Sequence, residues 1–439
     1  MSGTRREILH LTGASLVLIL GVWASSGTLA PYAATLAKPY AWEPCDYLLN
    51  IDHNHFKAVF LMLDGAPRDQ WEYSVVLRRV LHPLLAYPFM KVLGFGAGGI
   101  AANLLLALGS IVVFWRALQT RYGGKVPVAI LWLLATSPGI FYWAGLPYSY
   151  AIIVPASLVA LVLLWKLETA AGWRPALLYG LGLGVLSTGY DLLPFFGAAG
   201  LLLLLSRRLW APGAVFTVAT AVPTALVAVA LRAVFEVPFE STNTQAYGNI
   251  VGSYLSLGSL TDEGFSTWGR LLAKLPGIAL DVYLYSNFLF LPLLFLLGLL
   301  AARWLPKGSP TVPRAEVCVL IAAVLLFLFT NLAPPYPGWQ IRGSWLARLY
   351  QPVFGVMIST LAGLFSRADL LPRRFRSALW GALALTIAAD LWIVFGPVLG
   401  ATRLSQTVYH RFYRHDRPTA YEETLATYGR RPLGLCGRK

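Results

Sequence analysis

The stretch NIDHNHF, residues 50–56, gathers one carboxylate (Asp52), two imidazoles (His53 and His55) and two amides. A carboxylate can take the proton from an attacking hydroxyl, provided that water is excluded and the hydroxyl lies within hydrogen-bond reach. Asp46 offers the same chemistry six residues earlier. Two imidazoles and an acid are also metal-ligand types, but their spacing here matches no metal motif. For the histidines, substrate contact stands beside the plainer reading of a solvated polar loop. A base needs a counterpart that stabilises what departs, and Arg78, Arg79, His82, Arg342 and Arg348 are the cations available for an anionic leaving group such as a phosphate. Asp191, next to Tyr190, either orients a substrate's hydroxyls or pairs with an arginine.

These groups must be positioned by elements made mostly of hydrocarbon. Apolar residues form 57% of the 439 positions and charged residues 13%, about half the charged share of a soluble domain. Apolar runs near the length needed to cross a core of about 30 Å recur at 9–30, 99–118, 127–143, 148–165, 175–188, 192–206, 211–234, 281–302, 315–332, 346–365 and 378–399. The expected fold is therefore all-α, a polytopic transmembrane helical bundle of about 11 spans. The fifth and sixth runs are short, and the STGYDLLPFF stretch between them makes them either one broken element or two shallow helices. Residues 74–93 are apolar but carry Arg78, Arg79, His82 and Lys91, which predicts helices lying at the interface with their cations snorkelling outward.

With the N-terminus in the cytoplasm, the short inner loops collect basic residues, among them Arg207, Arg208, Arg373, Arg374 and Arg376, as the positive-inside rule requires. The long segments 31–98, 235–280 and 333–345 then lie outside, mixing acids with bases. Residues 1–399 read as one transmembrane catalytic domain whose reaction chamber faces outward, and 400–439 as an extracytoplasmic tail. The N-terminus has the basic flank and apolar run of a signal peptide, and is read as an uncleaved first span. The net charge of +15 is partly this loop bias; the aromatic and cationic tail suits anionic lipid, and no nucleic-acid partner is expected. Three cysteines exclude a disulfide framework; Cys45 and Cys436 share the outer side and either pair or stay free. GFGAGG at 94–99 matches a dinucleotide fingerprint only in letters, since no strand precedes it.

The segment from residue 40 to 85, with an acid-bearing first outer loop, an arginine pair and LHPLL before a glycine-rich helix entry, resembles the membrane-embedded glycosyltransferases of the GT-C superfamily. SPGIFYWAGLPYSYAI, GLGVLSTGYDLLPFF and GWQIRGSWLARLYQPVF continue the likeness along the chain. The resemblance implies an inverting transfer of sugar from a polyprenyl-phosphate-linked donor to a glycan, lipid or protein acceptor at the extracytoplasmic face, in a bacterial inner membrane. It implies Asp52 as base, with Asp46 second; the commoner family pattern has two adjacent acids, whereas these are six apart. Arg342, Arg348, Arg78, Arg79 and His82 would hold the donor phosphate, and His53, His55, Tyr190 and Asp191 the substrate. No cofactor is required, a divalent metal included, because a lipid phosphate leaves readily.

Three rivals remain. A secondary transporter or flippase of a lipid-linked or anionic substrate would carry paired broken helices and midplane charges, and only Asp390, deep in the last span, comes near that pattern; its plain reading is a pairing with a neighbouring helix. An O-antigen polymerase or ligase would place its key arginines and acids in later outer loops. A membrane scaffold would have little use for so many outer acids.

Overall fold

The computed structural model describes residues 3–28, 51–72, 74, 77–137, 140, 144–145, 149–190, 193–237, 290–306, 312–332 and 352–395. Among these residues there are 13 α-helices and no strand, and three segments, Phe95–Arg121, Tyr150–Thr169 and Trp210–Phe235, are long and apolar enough to cross a membrane. In chain order the helices are α1 (Gly3–Thr28), α2 (Ile51–Leu63), α3 (Leu81–Leu93), α4 (Phe95–Arg121), α5 (Val128–Ala135), α6 (Ile153–Thr169) and α7 (Trp173–Ser187). They continue with α8 (Pro194–Ser206), α9 (Trp210–Phe235), α10 (Leu291–Ala302), α11 (Arg314–Leu332), α12 (Phe354–Phe365) and α13 (Arg373–Phe395).

Each of the eleven apolar runs contains a helix among the described residues. The fifth and sixth are two separate helices, α7 and α8, not one broken element. Two differences concern the polar segments. Residues 51–63, expected as a loop, form α2, because FKAVFLML behind the polar cluster supplies Phe56, Ala58, Val59, Phe60, Leu61 and Met62, all buried. α2 is thereby wedged between two apolar clusters, one with Ala86, Met90 and Ala102 and one with Trp71, Leu77 and Leu231. The interfacial helix expected from residue 74 starts only at Leu81, because the Leu81 N–H turns to the Thr188 carbonyl at the end of α7, 3.3 Å away.

The bundle has two chemically distinct ends. At one, α4 and α6 finish while α11 begins, and their charges face inward instead of into solvent. Arg121 Nη2 donates to Glu168 at 2.8 Å and to Glu316 at 3.2 Å. Glu316, 0% exposed, also accepts from Trp165 Nε1 at 2.9 Å and from Ser359 of α12 at 2.6 Å. Phe114 stacks on Trp165 with ring centroids 5.3 Å apart. Arg207 closes the same end, donating to the Leu167 carbonyl in the last turn of α6 and to the Ala170 carbonyl just beyond it.

α7 lies against α9 through glycines. A Cβ at Gly180 would meet Ala219 Cβ at 2.8 Å, and one at Gly184 would meet the Thr220 carbonyl oxygen at 2.5 Å. Small residues four apart let two apolar helices approach closely where lipid offers no hydrophobic drive.

Candidate functional site: a cationic recess above two short helices

At 1.5 Å per residue, the 15 residues of α7 reach about 22 Å and the 13 of α8 about 20 Å. The 26 residues of α9 reach about 39 Å. All three are level at the Arg121 end, where Leu201 and Leu205 of α8 pack on Gly213 of α9. α7 and α8 therefore stop near the middle of α9, about 10 Å short of what a hydrocarbon core needs. The space above their tips is taken by the chain between α2 and α3.

That arrangement creates a cavity of about 120 Å³ lined by Arg78 and Arg79, by Ser187 and Thr188 at the tip of α7, by Pro194 at the tip of α8, and by Thr224 and Val227 of α9. It far exceeds the roughly 15 Å³ that one water needs, and it places two guanidiniums beside hydroxyl groups. The Ser187 and Thr188 hydroxyls donate to the Leu183 and Val185 carbonyls of their own helix, which leaves their oxygen lone pairs toward other donors. Arg79 is held by stacking: its Cζ lies 4.4 Å from the Tyr190 ring centroid, and Tyr190 meets Tyr150 edge-on at 5.3 Å. Tyr190 is only 2% exposed, so it backs the arginine and does not itself present a surface to a substrate.

His82 follows one turn later and differs from its expected role. It is fully buried at the start of α3; its Nε2 is 2.6 Å from Asn103 Oδ1 on α4, and its ring lies 4.7 Å from that of Phe56. Burial pushes its pKa down to about 4, only partly offset by the Asn103 hydrogen bond, so the ring is neutral near pH 7 and supplies no cation to a phosphate. It fastens α3 to α4, and with the Leu81 to Thr188 bond it fixes where Arg78 and Arg79 stand. Nearby, Asp64 accepts from Tyr87 at 2.8 Å and Lys91 at 2.7 Å, tying α2 to α3; the Lys91 hydrogen bond, the largest cause, holds the Asp64 carboxyl below its ordinary range.

The backbone positions of Asp52, His53 and His55 fall within the first five residues of α2, Asp52 one turn before Phe56; their side chains lie outside the described residues. So do Asp46, Asp191, Arg342, Arg348, Cys45 and Cys436. Of the sequence candidates, the structure thus brings together Arg78, Arg79 and Tyr190, with His82 behind them. Asp390 does not line the cavity; it is 1% exposed, and its Oδ1 has no hydrogen-bond partner among the described residues.

The chain matches no protein-family model, no curated protein and no solved structure.

Sequence reasoning missed Asn103, Thr188, Thr224 and the buried Lys57 of α2. Asn103 and Lys57 carried a signal, a strongly polar side chain within an apolar run. The hydroxyl residues carried none, since their importance comes from the level at which α7 ends.

Proposed function

We propose that the protein is an integral-membrane glycosyltransferase of the GT-C type, taking sugar from a polyprenyl-phosphate-linked donor at the extracytoplasmic face. The observation that carries this reading is the recess: two guanidiniums and hydroxyl groups set below the level of the longest helices, where a lipid-borne phosphate would sit. A lipid-borne phosphate is anionic, and guanidinium groups are the side chains best suited to bind it bidentately. In the proposed reaction Arg78 and Arg79 bind the phosphate and stabilise the charge that grows on its bridging oxygen as the sugar departs. Asp52, on the helix that borders α3, takes the proton of the acceptor hydroxyl as that oxygen attacks the opposite face of the sugar, giving inversion. Arg342 and Arg348 are proposed to complete the phosphate site, Asp46 to be the alternative base, and His53, His55 and Asp191 to contact the sugar.

A carrier of anionic lipid would suit the same recess, but it would need a second, alternating opening at the Arg121 end, where Glu316 and Arg121 tie α4, α6, α11 and α12 together. The test is sugar transfer by purified protein in vesicles, with a polyprenyl-phosphate sugar as donor and a panel of acceptors. Asp52→Asn should lower turnover by about a hundredfold or more with little change in donor affinity. Arg79→Ala should lower it by a comparable factor and weaken donor binding. Wild-type turnover in Asp52→Asn, with Asp46→Asn equally silent, would end the carboxylate mechanism.

A further inference from the structure

We infer that the place where α10 ends and α13 begins is a binding surface for an anionic phospholipid, with Arg303, Arg373 and Arg374 set around the stacked rings of Trp304 and Phe375. The inference is independent of sugar transfer, of the recess, and of which face of the membrane this end of the bundle occupies.

One contact gathers the charges. Gly298 of α10 lies against Leu361 and Leu364 of α12, whose Ser359 joins the Glu316 network, so α10 finishes at the Arg121 end. There Trp304, just past α10, stacks on Phe375 in the first turn of α13, with ring centroids 4.9 Å apart and planes 25° from parallel. Each of Arg303, Arg373 and Arg374 stands within two residues of a stacked ring. All three are exposed, and none has an ion pair or a side-chain hydrogen bond among the described residues. Two further arginines nearby are engaged: Arg367 donates to the Gly363 carbonyl at 2.9 Å, and Arg376 pairs with Asp369 at 3.3 Å. Asp369 is the one carboxylate among the described residues of 290–306 and 352–380, so the surface is strongly cationic.

The surroundings select the class of anion. Although stacked, both rings stay open, Trp304 to 58%. Each helix also carries an exposed apolar stripe leading away from its arginine: Leu300, Leu296 and Leu293 on α10, and Ala378, Gly381 and Leu385 on α13, at steps of four, three and four from Arg374. A Cβ at Gly381 would meet no atom within 4 Å, which leaves the middle of the second stripe shallow. A soluble anion would neutralise the arginines and leave the rings and stripes bare. An anionic phospholipid covers both, because guanidinium forks take phosphate oxygens bidentately, exposed tryptophan settles at headgroup depth, and acyl chains lie on the stripes. Basic clusters at the ends of membrane helices attract anionic headgroups in this way.

The test is native mass spectrometry of the full chain released from nanodiscs that hold phosphatidylcholine and phosphatidylglycerol in equal amounts. Wild type should keep phosphatidylglycerol in preference, and the triple variant Arg303→Ala, Arg373→Ala, Arg374→Ala should keep roughly tenfold less. A second triple variant, Arg116→Ala, Lys125→Ala, Lys166→Ala, removes as much charge from exposed positions at the same end and should match wild type. Equal retention by wild type and the first variant overturns the proposal, and loss of a dimer in that variant with the lipid still held would give the surface to a second copy of the chain. An equal loss in both triple variants also overturns it, since charge would then count and place would not. Trp304→Ala keeps all three guanidiniums and should weaken retention roughly threefold; no loss there would reduce the surface to charge alone and overturn its assignment to a phospholipid. The single exposed change Arg374→Glu carries the expectation of the first variant, at roughly fivefold, should the triple substitution fold poorly.

Discussion

His82 shows how far a side chain's surroundings govern its role. As a residue type in a basic segment it read as a cation for phosphate; buried against Phe56 and bonded to Asn103, it is neutral. Its folded pKa of about 4 lies below the ordinary 6.5, so the unfolded chain binds the extra proton more readily. The stability that neutral His82 contributes is complete above about pH 6.5 and is lost as pH falls toward 4, up to about 3 kcal/mol. Urea unfolding of the protein in detergent, followed from pH 7 to 4.5, should show this slope, and His82→Gln should flatten it. Tyr190 invites a second residue-scale expectation. If its ring holds Arg79 by a cation–π contact of about 1 kcal/mol, Tyr190→Leu should weaken binding of the polyprenyl-phosphate donor roughly fivefold, whereas Tyr190→Phe should keep it; equal losses in both would mean the hydroxyl matters instead. The arginine pair was legible by type and place, but Thr188 and Thr224 were not, because a hydroxyl in an apolar run announces nothing until the ends of its neighbours are known.

Helices are legible where their hydrophobic run is long and uninterrupted, and all eleven apolar runs contain one. α2 was missed because of its polar first residues, although the following FKAVFLML, apolar apart from Lys57, could be buried only as a compact element. The charges at the Arg121 end carried no signal in the sequence, since composition shows how many charges there are and not which way they turn. Turned inward, they make a strong prediction. Glu316→Ala leaves Arg121, Trp165 and Ser359 facing an empty place, and breaking such a buried pair costs about 3–5 kcal/mol; thermal unfolding in detergent should reveal the loss. Glu168→Ala, at a site 19% exposed, should do less harm, and a reversed order would deny Glu316 its central place. Gly184→Leu should separate α7 from α9, lowering stability by about 1–3 kcal/mol or more and abolishing donor binding with it.

At the scale of the whole molecule, the proposed orientation puts the recess outside the cell and the Glu316 knot inside. In a variant with Cys45 and Cys436 changed to serine, Cys318 is buried and single cysteines can report on sides. Arg68→Cys should react with a membrane-impermeant maleimide on intact cells, and Lys125→Cys only after permeabilisation; the opposite pattern would invert the topology. The proposed side rests on charge bias and the expected spans on run length, both linear properties of the chain. The recess is not linear, since it arises from unequal lengths of elements far apart in sequence that come to stand side by side.

The inequality of α7 and α8 with α9 also bears on the lipid around them. A bilayer meeting helices of about 20 Å on one flank and of about 39 Å beside it cannot match both, and the cheaper accommodation is to pinch inward locally over the shorter pair. Host acyl chains of increasing length would resist that pinch, raise hydrocarbon over the tips of α7 and α8, and lower donor binding in step with membrane thickness.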